Sequence, residues 1–203
     1  MADIITFPGT VDWSGENPGI SLKERPDGPF VSLASFFRVV LSPHGRGHAL
    51  VLLQSPHEAA PPAGRENYCF YDNHELARFL VSGFLKHFGA YRDLPSVDRM
   101  TYRKLDKVES SGDARSAYSE TVVSGDLRIV LTWSELGEPF CFAFPVDKSA
   151  TGRHHMPSLF VGAKQATITV NGRLLPGKPI PREIAGHAIT TAMLAFSETW
   201  IRG

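Results

Sequence analysis

Long apolar runs are missing from this 203-residue chain. No stretch approaches the ~18 apolar residues that a membrane-spanning helix requires. The opening MADIITFPGT has no basic segment ahead of an apolar one, so it does not read as a secretory signal. Net charge is missing too. Lys+Arg and Asp+Glu each total 21, which leaves no electrostatic case for nucleic acid or an anionic membrane as partner. Cysteine is scarce, with only Cys69 and Cys141, both inside strand-like segments (NYCFYD and PFCFAF). Buried reduced thiols in a cytoplasmic protein are the expectation. Catalytic signatures are absent as well: there is no G-x-G-x-x-G, P-loop, G-x-S-x-G or C-x-x-C.

The chain does contain 42% hydrophobic and 21% charged residues, the balance of an ordinary globular fold. Its length suits one domain spanning 1–203. Residues 1–28 are rich in turn formers (FPGT, SGENPG, ERPDGP) and read as an extended amino-terminal arm pinned by Trp13. Period-2 segments follow at 30–41, 48–54 and 68–71. A second series runs from Arg99 to Val170, with turns at SSGD, SGD and ELGE. Asn171-Gly172 after ATITV marks a tight hairpin, since both residues accept the positive φ of a type I′ turn.

Two segments read as helices. Asp72 or Asn73 caps an apolar stretch over about 73–88, which Gly89 closes. Pro179 and Pro181 open a second stretch over about 181–201, where Ile189, Met193, Phe196 and Trp200 recur at helical spacing. The expected fold is therefore α+β: a strongly curved, mainly antiparallel sheet of about eight to ten strands, its concave side packed on the buried middle helix and the long carboxy-terminal helix. This order of elements resembles the general plan of helix-grip folds, which enclose a lipid pocket. A lipocalin-like barrel is the alternative.

Strand alternation then nominates a site. Tyr118, Glu120 and Val122 share one face, as do Tyr102, Lys104 and Asp106, so polar groups stand among apolar ones. Lys104 and Asp106 at i, i+2 form a candidate buried acid/base pair, with Glu120 a third candidate catalytic group. His154 and His155, in the loop GRHHMP beside Arg153, are candidates at the pocket mouth. Tyr102, Tyr118 and Arg153 complete a candidate ligand-binding set. Adjacent strand residues face opposite ways, so the His pair is not expected to hold a metal, and no cofactor follows from these residues. The leading expectation is binding of a small apolar or aromatic metabolite between sheet and helices. A lyase, isomerase or decarboxylase using these acid/base groups is the second, and a homo-oligomeric structural subunit the third.

Overall fold

The computed structural model describes residues 6–203. The stretch read as an arm supplies inner strands of the sheet. β1 (Thr10–Glu16) and β2 (Gly19–Lys23) are separated only by Asn17-Pro18, and together they form one stave between β3 (Phe30–Leu41) and β15 (Ala192–Arg202). Pro18 has no N–H to donate, which interrupts the ladder without ending it. Trp13, Ile20 and Leu22 are fully buried, and that apolar content outweighs the turn-forming composition around them. The first five residues lie outside the described ones.

β3 turns into β4 (Gly47–Leu53), which pairs with β5 (Tyr68–Tyr71). After α1 (His74–Gly83), β6 (Thr101–Lys104) returns parallel to β5. β7 (Lys107–Gly112), β8 (Ala117–Ser124) and β9 (Leu127–Leu136) form a meander. β10 (Phe140–Phe144) continues the line of β9 along β11 (His154–Val170), a single 17-residue strand. β12 (Arg173–Leu174) folds back through Asn171-Gly172, both at positive φ as their types suggest. β13 (Pro181–Ile184) and β14 (His187–Thr190) make a separate two-stranded hairpin before β15.

The main sheet runs β6-β5-β4-β3-β1-β15-β11-β9-β8-β7, and its two ends meet at Leu105-Asp106. There the Leu105 N–H donates to Tyr71 O at 2.8 Å and the Asp106 N–H to Val123 O at 2.7 Å. The Ser124 hydroxyl donates to Lys104 O at 2.8 Å. The sheet thus curls into a barrel, closer to the alternative reading than to a sheet gripping helices. Its interior is filled by alternate side chains from every wall, among them Phe36, Leu52, Phe70, Val122, Trp133, Ile168 and Leu194.

The helical expectations change accordingly. α1 is shorter than the 73–88 expected, breaking after Gly83 into a 3₁₀ turn at Leu85–His87. Asn73 does cap it, its Oδ1 accepting the Leu76 N–H at 3.1 Å. The helix packs on the outer face of the barrel, not the concave side: Leu76, Ala77, Leu80 and Val81 cover Leu33, Phe37, Val51 and Cys69. The long carboxy-terminal helix is absent, and residues 181–202 form β13, β14 and β15.

A β-bulge explains the helix-like stripe. Across β15, Ser197 pairs with Leu159 and Ala195 with Phe160, leaving Phe196 as an extra residue. Ala192 and Leu194 face the interior, while Met193 and Trp200 pack on the outside. Three strand periods plus the bulge put Met193 and Trp200 seven residues apart on one face, about the separation of two helical turns. The β-branched Ile189, Thr190, Thr191, Thr199 and Ile201 favour the extended form.

Among the described residues, no helix is long and apolar enough to cross a membrane.

Candidate functional site

The bulge in β15 also moves a carboxyl group. Strict alternation from Leu194 would aim Glu198 into the barrel; the extra Phe196 turns it outward, onto the floor of a groove of about 230 Å³. Gly19 and Ser21 of β2, Ser35 of β3 and Met193 and Trp200 of β15 share that floor. One wall is the turn Phe88–Tyr91 that follows α1. The other is built from Phe144, Ala150, Met156 and Phe160, while Arg182 and Ile184 of the β13–β14 hairpin close over the side. Lys148, in the 3₁₀ turn Val146–Lys148, stands at the rim.

Glu198 is only 4% exposed. Its Oε1 accepts the Trp200 indole N–H at 2.7 Å and the Asn17 amide at 3.4 Å. Burial penalises the carboxylate and pushes its pKa up to about 7, against those two donors. Asn17 is held in turn by the Ser35 hydroxyl, which donates to Asn17 Oδ1 at 2.7 Å. Tyr91 lies against the same end of the groove. Its buried hydroxyl has Ser35 nearby but, among the described residues, no partner at full hydrogen-bonding geometry, and burial raises its pKa well above the ordinary phenol value. An apolar trough with a protonatable carboxyl and an unspent O–H donor at its base can grip a small molecule by both shape and hydrogen bonding.

The residues nominated from the sequence lie elsewhere. Tyr118 and Glu120 do come together, inside the barrel: the Tyr118 hydroxyl donates to Glu120 Oε1 at 2.9 Å and Ser110 donates to Oε2 at 2.9 Å. The partner that alternation did not connect with them is Arg38, whose guanidinium donates to Glu120 Oε1 at 2.8 Å and to Ser110 at 2.7 Å, and also pairs with Glu16. Burial opposes the Arg38 charge, but the two carboxylates more than offset it and raise its pKa. Both Glu120 oxygens are occupied, so the cluster is a satisfied ionic plug.

Lys104 and Asp106 are not a buried pair. Both are exposed; Leu105 between them is the residue that enters the core, and Asp106 accepts the Gly125 N–H at 2.7 Å. Tyr102 sits on the outer side beneath Arg78, whose guanidinium carbon is 5.5 Å from its ring centre, and burial raises its pKa to about 12. Tyr102 and Tyr118 therefore belong to different clusters.

His154 and His155 point to opposite faces, as the strand geometry requires. His154 is fully buried between Thr151, 2.7 Å from Nδ1, and Asp12, 2.8 Å from Nε2. Burial lowers its pKa, more than Asp12 raises it. A neutral ring satisfies both contacts when Nε2–H donates to Asp12 and Nδ1 accepts from the Thr151 hydroxyl. Arg202 completes the chain by donating to the other Asp12 oxygen at 3.1 Å. His155 packs on Phe7, with ring centres 5.1 Å apart, and Arg153 is exposed and reaches the Gly83 carbonyl.

Among the described residues, no group of three or more His, Cys, Asp or Glu is arranged to hold a metal ion. The two cysteines are unpaired. Cys69 is buried, which pushes its thiol up to about 12, whereas Cys141 is exposed, contrary to the expectation.

None of the nominated residues lines the groove. Glu198 was hidden by the helical reading of its segment, and Tyr91 by lying in a turn without periodicity. Comparison with family models, curated proteins and solved structures found no match, so the chain's own geometry carries the functional reading.

Proposed function

We propose that this protein binds a small, mainly apolar or aromatic molecule in the outer groove between β2, β15 and the turn that follows α1. The observation that carries the reading is the Tyr91 hydroxyl: a buried donor without a well-placed acceptor among the described residues, in a largely apolar trough that also holds a buried carboxyl. Leaving such a group unsatisfied costs roughly 1–3 kcal/mol, a cost that a ligand oxygen placed there would relieve. Trp200 in the floor and the thioethers of Met156 and Met193 supply polarizable surface that adapts to a ring.

The reading is tested by thermal melting and intrinsic tryptophan fluorescence against a panel of neutral and charged aromatic compounds, with indole and 2-naphthol as lead probes. A binder raises the melting temperature and perturbs Trp200 emission. Ala150→Phe, which fills the groove from one wall, removes both effects while the protein stays folded. If no compound in the panel changes either signal, the groove is not a binding site.

A further inference from the structure

Two cations line the groove, Lys148 at the rim and Arg182 on the overlying hairpin, and neither has an ion-pair partner among the described residues. Their acidic sequence neighbours, Asp147 and Glu183, make no salt bridge with them either. Among the described residues, the only carboxyl group in the lining is that of Glu198, on the buried floor. The groove is thus cationic at its entrance, apolar along its length and hydrogen-bonding at its base.

We infer that the ligand is a small aromatic carboxylic acid, bound with its carboxylate between Lys148 and Arg182 and with an oxygen at its opposite end accepting the Tyr91 O–H. This rests on the groove being a binding site and adds the ligand's class and orientation. The orientation follows from the electrostatics. A ligand carboxylate at the floor would face Glu198 in a setting where charge is poorly solvated, whereas at the entrance it meets two cations. Arg182 can hold a carboxylate through two parallel N–H donors, and Lys148 acts as a point charge. Size agrees: about 230 Å³ is smaller than the ~300–1,000 Å³ of sites for drug-sized ligands, which limits the body to one ring or two fused rings. Phe144, Phe160 and Trp200 supply the aromatic contacts for that body.

The experiment is isothermal titration calorimetry of the whole protein with matched sets of one-ring and two-ring aromatic acids, their primary amides and their analogues lacking the distal oxygen. The lead set is 4-hydroxycinnamate, 4-hydroxycinnamamide and cinnamate. The acid is expected to bind about tenfold or more tighter than its amide, the effect of one well-placed charged contact. Lys148→Gln and Arg182→Gln, both at exposed positions, should each erode that preference, costing the acid more affinity than its amide. Tyr91→Phe should remove the preference for 4-hydroxycinnamate over cinnamate while keeping the protein folded, because it deletes an unsatisfied hydroxyl. Equal affinity for acids and amides across the sets overturns the carboxylate assignment and leaves the groove as a neutral binding site. If no member of any set binds, the groove reading falls with it.

Discussion

The Arg38 guanidinium lies 2.8 Å from Glu120 Oε1, and this ion pair joins β3 to β8 across the inside of the barrel. Glu120 has no exposed surface, so its charge depends on Arg38, Ser110 and Tyr118 for all the solvation it receives.

Arg38→Met strands that carboxylate. We expect a loss of about 3–5 kcal/mol in urea unfolding, the cost of leaving one member of a buried pair alone. Arg38→Met combined with Glu120→Leu should recover most of it, since an apolar pair fills the same space without buried charge. A double variant as unstable as the single one would mean that the plug specifies the closed barrel rather than merely tolerating its own charges.

Glu198 makes stability depend on pH. Its folded pKa of about 7 lies above the unfolded value of 4.5, so the folded state holds the proton more tightly. The contribution is fully present below pH 4.5 and is lost as pH rises through 7, by up to about 3 kcal/mol. In Glu198→Gln this slope disappears. Chemical denaturation at intervals from pH 4.5 to 8 measures it.

His154 produces the opposite slope. Burial holds its folded pKa below the unfolded value of 6.5, so the unfolded chain takes up the proton first. Stability is present above pH 6.5 and is lost as pH falls through the folded pKa. His154→Gln keeps an N–H donor for Asp12 and should flatten the acid limb, whatever its cost in absolute stability. If the variant and the native protein fall off in parallel below pH 6.5, His154 is not the group responsible.

Gly15 marks a close approach of backbones. A Cβ built there would lie 2.1 Å from the Arg38 carbonyl oxygen, at the irregular register where β1 meets β3. Gly15→Ala must push the two strands apart and should cost about 1–3 kcal/mol or more. Gly83→Ala, at a position with open space around it, is the control and should cost little in a thermal melt.

Much of the sheet was visible in the residues. The alternation in Leu127–Leu136, the Asn171-Gly172 turn and the cap at Asn73 each depend on contacts a few residues away, so local pattern is enough to find them. Placement of Tyr118 beside Glu120 followed from period 2 alone. What escaped depends on long-range partners. Whether Lys104 and Asp106 are buried is decided by Leu105, which takes the interior position where the sheet closes. The groove escaped because Phe196 shifts the period within β15, and a bulge is defined by the opposing strand, in this case Leu159-Phe160 of β11.

The stave formed by residues 192–202 pairs with β1 on one side and β11 on the other. Thr10 therefore waits for Arg202 before its ladder is complete, and synthesis must reach that segment before the wall can close. Until then β1 and β11 present unpaired edges, and the β1–β15 pairing closes the longest loop of any strand pair among the described residues. The nascent chain is thus most vulnerable to intermolecular strand pairing just before its final stave is delivered.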